Sequence, residues 1–329
     1  MRAMLRTLRP FFLSLFFTFS GLIAAAIVYS RQHANSSWIL FAALPAFLCE
    51  AVFYLASIFK QTRELFKKLR SSRLQAILLW ISAVIPYLVF SLAAHIFDRN
   101  SFYLLASLTA VLSFWYAVLP RRAAYDAGFL IIAAAPQITG VFKRLYVLKQ
   151  MDVLGHLMWI HVGVMALLVL REWKPGEFSF WPTPREWQIG FFMFLIAIAP
   201  LIGLAQAVHF AHFVTPQAPW WRLAGEGAGT FFGILWVVAL SEELFFRGFI
   251  QRAIENQWHN RFLAIILAAP LFGAAHLWVH TFPNWPYAGV ASLLGVACGF
   301  AYWWGGSVRA PMVTHALVVV TWRLFFQLR

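Results

Sequence analysis

The sequence predicts an all-α, polytopic transmembrane helical bundle of about 10–11 spanning segments. Three observations predict it. Of the 329 residues, 62% are hydrophobic and only 12% are charged, whereas soluble chains carry roughly 25% charged residues. The apolar residues fall into repeated runs, most of them close to the ~20 residues that a helix needs to cross a bilayer. The runs are continuously apolar rather than alternating, which selects helices over a barrel. Together these exclude a soluble enzyme, a disordered chain and a disulfide-stapled secreted domain.

The runs, in order, are 11–29, 38–59, 74–97, 102–119, 123–142, 153–170, 187–213, 229–251, 262–280, 287–304 and 310–328. The first follows Arg2, Arg6 and Arg9. It is longer than the roughly 7–15 residues of a signal-peptide core, so it reads as the first span with its N-terminus inside. Run 123–142 contains Pro136. Whether it spans decides the side of every later loop, and the basic residues favour the inside under both topologies. The side of the C-terminus therefore stays open.

The net charge of +14 would suggest nucleic acid in a soluble chain. Here the basic residues sit between apolar runs, as in Lys60, Arg63, Lys67, Lys68, Arg70 and Arg73. That is the positive-inside pattern of a membrane protein, with the lipid bilayer as partner and no nucleic acid. Cys49 and Cys298 lie in separate runs and read as small core residues, with no metal spacing and no disulfide.

Residues 171–187, REWKPGEFSFWPTPREW, break the composition. They divide an N-terminal membrane domain of unknown role, 1–185, from a C-terminal domain, 186–329. Gly225, Gly229 and Gly233 make two successive GxxxG spacings, and Gly295 with Gly299 makes another. This is a device for close helix packing.

Ionisable residues inside apolar spans are expensive and are functional hypotheses by default. The eighth run holds Ser241-Glu242-Glu243-Leu244-Phe245-Phe246-Arg247. Glu243 and Arg247 are i and i+4, on one face, in the favourable order for an ion pair. Glu242 points about 100° away and has no partner on its own helix. It needs a partner or a proton, so it is the carboxylate for chemistry. In the ninth run Phe272, His276 and His280 recur at i, i+4 and i+8, and the last run has a single histidine, His315. One carboxylate and two imidazoles on three apolar helices can hold a water. The carboxylate would act as general base, and the histidines would bond the water or the developing oxyanion. There is no GxSxG, no plausible Ser/His/Asp set and no phosphate-binding glycine loop.

Glu242-Glu243-x-x-x-Arg247, then Phe272-x-x-x-His276, then His315 on the final helix resembles the CPBP family. These are intramembrane proteases of the CAAX-prenyl-endopeptidase and bacteriocin-processing type, also called Abi-type. The resemblance covers roughly 187–329. It implies an intramembrane endopeptidase with Glu242 as general base, His276 orienting the water and His315 stabilising the oxyanion. Glu243, Arg247 and Phe272 support the site. It also implies a membrane-associated or lipid-anchored protein substrate cut near its C-terminus, no cofactor, and an integral membrane protein of the bacterial inner membrane.

The family pattern carries an asparagine four residues after the last histidine. Here that position is Val319, a departure similar to that of bacterial subfamilies tied to C-terminal protein-sorting tails.

Three other readings compete. A non-catalytic scaffold or immunity-type protein is favoured by Val319. A zinc-dependent protease would draw ligands from Glu242, His276, His280 and His315, although HExxH is absent. A transporter would use Glu242 as a proton site, but a carrier needs no particular Glu/His/His set. Depth gives an expectation too. At 1.5 Å per residue, Glu242 and His276 lie equally deep. His315 is only about 9 Å from Arg309, too shallow unless Trp303–Ser307 dips into the membrane.

Overall fold

The structure, a computed structural model, describes residues 2–32, 37–69, 71–148, 151–176, 178–279 and 281–328. The chain divides into two compact units, Met1–Trp173 and Lys174–Arg329. It is helical nearly throughout, and eight helices among the described residues are long and apolar enough to cross a membrane.

The first unit runs α1 (Arg2–Gln32), α2 (Ser37–Ile58), α3 (Lys60–Lys67), α4 (Ser72–Ala93), α5 (Arg99–Val118), α6 (Ala123–Thr139), α7 (Val141–Leu145) and α8 (Asp152–Leu170). Helix starts follow the chemistry of their caps. The Ser71 hydroxyl accepts from the Leu74 N–H. At α5, the Ser101 N–H donates to Asp98 at 2.7 Å, which holds that carboxyl below its usual range. Gly140, at φ +61°, ends α6, because only glycine takes this left-handed turn at no steric cost. Asp126 ties α6 to α5 and to the end of α8. Arg171 grips it with two bonds of 2.8 and 2.9 Å, and the Tyr116 hydroxyl donates to it.

The second unit runs α9 (Pro184–Ala207), α10 (Trp220–Trp258), α11 (Arg261–Ala274), α12 (Trp285–Gly305) and α13 (Arg309–Phe325). Thr183 and Glu186 form a reciprocal capping box at the start of α9. The same Glu186 carboxylate takes Arg309 at 2.9 Å, which ties the first turn of α13 to that of α9. The segment before α9 also packs within this unit: Phe180 stacks on Trp236 with ring centroids 4.5 Å apart.

Three of the eleven apolar runs yield helices shorter than a span. Run 123–142 is broken at Gly140, run 262–280 is helical only to Ala274, and run 310–328 only to Phe325. The ends of runs 187–213 and 310–328 are extended instead. β1 (Ala211–Phe213) and β2 (Phe326–Leu328) pair antiparallel, His212 opposite Gln327. The pairing lets each strand satisfy inward-facing backbone groups in the other.

Glycines set the closest helix approach, but at only one of the two predicted stripes. A Cβ on Gly225, Gly229 or Gly233 would meet nothing within 4 Å. On Gly295 it would press on the Ala269 backbone at 3.0 Å, and on Gly299 on Ile265 at 2.8 Å. So the second GxxxG seats α12 on α11, as small-residue spacing allows. Gly273 is tighter still, since a Cβ there would collide with Ser292 Oγ and the Ala288 carbonyl. Gly273→Ala is therefore expected to cost at least about 1–3 kcal/mol by overpacking. Thermal unfolding of the purified protein checks this, and an unchanged midpoint would refute it.

Candidate active site

The site is built on an irregular stretch of α10. Ile234–Ala239 and Leu244–Gln251 are π-helical, and a single α turn, Leu240–Glu243, lies between them. π turns bond i to i+5, are rare, and concentrate at functional sites. They also spoil the uniform 100° projection used to place side chains from sequence. Glu243 and Arg247 nonetheless pair, Oε2 to Nε at 3.1 Å, with both side chains at most 1% exposed. Arg247 also donates to the Gly295 carbonyl and lies 4.7 Å from the Phe272 ring centroid. The site's arginine is thus held by a carboxylate, a carbonyl and an aromatic face at once.

α13 brings His315 to both carboxylates. Its Nδ1 is 2.8 Å from Glu243 Oε1, and its Nε2 is 3.9 Å from Glu242 Oε2. The carboxylate fixes the proton on Nδ1 and the ring's orientation, leaving Nε2 toward Glu242. Glu242 is the open member of the set, with 31% of its side chain exposed against 4% for His315. The depth expected from the Arg309 loop is thereby corrected. Gly306, at φ +62°, turns the chain sharply between α12 and α13. Gly306 itself is exposed, but Ser307 through Ala316 are all buried, so the first turns of α13 pack inside the unit.

α11 supplies the other imidazole. His276 lies in the turn just past the helix end, its Nδ1 2.8 Å from the Phe272 carbonyl. A carbonyl can only accept, so Nδ1 carries a proton, and the tautomer this selects has Nε2 as its acceptor. The fully buried Phe272 ring touches both histidines. Its centroid is 4.8 Å from that of His276 and 5.7 Å from that of His315. The structure thus joins Glu242, Glu243, Arg247, Phe272, His276 and His315 through consecutive contacts.

Residues 224–321 match the family model described as type II CAAX prenyl endopeptidase Rce1-like. This part of the C-terminal region is similar to that family. The match spans all six of these residues, and the resemblance to CPBP proteins holds for this region. No curated protein and no solved structure matches the chain.

Two residues of the Rce1-like region escaped the sequence reading. Cys298, read as core filler, is indeed buried, but it also stands with Glu243 and His315 in a group whose donor atoms lie within 4.8 Å of one another. Tyr287 packs its ring on His276 at 5.0 Å, and its charged neighbours are Glu242 and Arg323. Nothing in the local sequence marks either one, because tertiary packing alone gives them their neighbours. His280 lies outside the described residues. Val319, four residues beyond His315, is partly buried and offers no side-chain hydrogen-bond donor.

Proposed function

We propose that the Rce1-like region is an intramembrane endopeptidase that cuts a membrane-embedded or lipid-anchored protein near its C-terminus, using a water activated by Glu242. The observation that carries this reading is His315 standing between the two glutamates. The 3.9 Å gap from its Nε2 to Glu242 is too long for a direct hydrogen bond but lets one water contact both groups at about 2.8 Å. Glu242 takes the water's proton as its oxygen attacks the peptide carbonyl. The bare Nε2 of His276 accepts the water's other hydrogen and aims its lone pair. His315, its Nδ1–H held by Glu243, donates from Nε2 to the developing oxyanion when protonated. Proton transfer from Glu242 to the leaving amine completes hydrolysis. Glu243 and Arg247 position His315 and do not touch substrate. The membrane is taken to be a bacterial inner membrane, on the family resemblance.

A zinc-dependent version fits the site poorly. Among the described residues, the group nearest a ligand set is Glu243, Cys298 and His315, which contains neither Glu242 nor His276. Arg247 already sits on Glu243, and a guanidinium beside a divalent cation is repulsive. Purified protein is expected to hold well under one zinc per chain and to keep its activity in strong chelators. His280→Ala should cost little, and His276→Ala most of the activity. Stoichiometric zinc, with activity lost on chelation and restored by the metal, would make the enzyme a metalloprotease. A non-catalytic scaffold remains the second reading, favoured by Val319. Comparing protein C-termini in cells with and without this chain decides between them, since a scaffold leaves every C-terminus unchanged.

A further inference from the structure

We propose that Ser82, His161 and Glu50 form a second reactive site, within the N-terminal unit, that takes a long acyl chain from a thioester onto Ser82. The proposal is independent of the peptidase reading. Glu50 is on α2, Ser82 on α4 and His161 on α8, and these three helices pack on one another. His161 Nδ1 is 2.6 Å from Glu50 Oε1, and its Nε2 is 3.1 Å from Ser82 Oγ. The imidazole therefore turns one nitrogen to an acid and the other to a hydroxyl. Activation of a weak nucleophile needs this order: a base within hydrogen-bond reach, itself oriented by a third group.

Glu50 and His161 are 0% and 1% exposed, in helices that are otherwise apolar. Burying such a pair in a membrane span is expensive and marks function by default. Glu50 Oε2 is buried without a hydrogen bond, and so is the Tyr146 hydroxyl. Glu50, held against Nδ1, is placed to stabilise the imidazolium that forms when His161 takes a proton on Nε2.

Ser82 is the accessible end of the chain of bonds. It is partly buried, while Leu78 and Ile81 beside it are exposed on the outer side of α4. On a helix that crosses a membrane, that side meets lipid acyl chains. The Ser82 hydroxyl also donates to the Leu79 carbonyl at 2.7 Å, and a hydroxyl rotor exchanges that acceptor for His161 Nε2 freely.

The fold also restricts the substrate. Ser82 lies mid-helix, where the backbone N–H groups belong to the helix ladder. The N–H groups beside Ser82 are thus not free to serve an oxyanion, which disfavours an unactivated amide as the acyl donor. An acyl thioester brings its own activation, with an electrophilic carbonyl and a good leaving group. Ser82 Oγ bonds to the acyl carbon as its proton passes to His161 Nε2, with Nδ1–H donating to Glu50. The C–S bond breaks, and the sulfur leaves as thiol with the proton from Nε2. The products are an acyl ester of Ser82 and a free thiol, with no change of oxidation state.

The test treats the full-length protein in membranes with a long-chain alkyl fluorophosphonate and locates the adduct by peptide mass spectrometry. The expected result is one adduct, on Ser82. It should be absent from Ser82→Ala and from wild type unfolded before the probe is added. It should form about 10²-fold more slowly in His161→Gln and at the wild-type rate in Glu242→Gln. Folded wild type without a Ser82 adduct overturns the proposal. So does labelling of unfolded wild type at the folded rate, since the hydroxyl would then owe nothing to His161. This control needs no variant to fold.

Discussion

Glu242→Gln is expected to leave the protein folded in the membrane and to lower its cleavage rate by about 10²–10⁴-fold, the range that general-base catalysis supplies. Glutamine keeps the size of the side chain and can still hydrogen-bond a water. It cannot take the water's proton. Glu242 is also the one carboxylate of the site that is partly open, at 31% exposure, so a neutral replacement leaves no opposite charge stranded in a dry interior. Thermal unfolding should therefore hardly move. The measurement is a single-turnover rate on a membrane substrate found by comparing C-termini, with folding followed in parallel. A Gln variant that processes substrate near the wild-type rate would remove the general-base role and leave the scaffold reading stronger.

The second large effect separates the neighbouring glutamate from the first. Glu243→Gln and Arg247→Ala are expected to reduce thermal stability at least as much as specific activity. Both side chains are fully buried, and removing one partner of a buried ion pair leaves the other uncompensated, at a cost of about 3–5 kcal/mol. The two variants should differ in one respect. Glu243 also accepts from His315 Nδ1 at 2.8 Å, and glutamine there can still accept that bond but brings no negative charge to favour a protonated His315, whereas loss of Arg247 leaves the carboxylate in place. Activity per folded molecule should fall further in Glu243→Gln than in Arg247→Ala. If both variants are as stable as wild type and wholly inactive, these residues take part in the chemistry and the division between the two glutamates is wrong.

Much of the C-terminal site is legible along the chain because its residues offend the local composition. Two glutamates and an arginine in an apolar helix announce themselves, and so do the histidines of two more apolar runs. The i,i+4 pairing of Glu243 with Arg247 is local geometry and survives into the structure at 3.1 Å. The partner of Glu242 is different. His315 is 73 positions away in the sequence, and simple depth counting placed it too shallow. The sharp turn at Gly306, which has no Cβ to resist positive φ, seats the first turns of α13 within the core and removes the discrepancy. The N-terminal unit shows the opposite case. Glu50 and His161 also offend their helices, but 111 positions separate them, and no spacing rule joins a glutamate, a histidine and a serine on three different spans.

The sequence by itself determines that this chain is a membrane-spanning helical protein, because continuous apolar runs leave the backbone no partner but its own helix. It also determines which ionisable groups must be accounted for, because each is costly where it stands. Only the tertiary structure decides which groups meet. It shares His315 between Glu242 and Glu243, hangs His276 from its own helix end, and closes Ser82, His161 and Glu50 into one line of hydrogen bonds. It also decides that Gly295 and Gly299 of α12, and not Gly225, Gly229 and Gly233 of α10, are a packing surface. The physical reason is the same in each case. Hydropathy is a property of one segment at a time, whereas a hydrogen bond of under 3 Å between helices depends on their relative rotation and height. Those are fixed by side-chain packing, by π turns and by the loops between them.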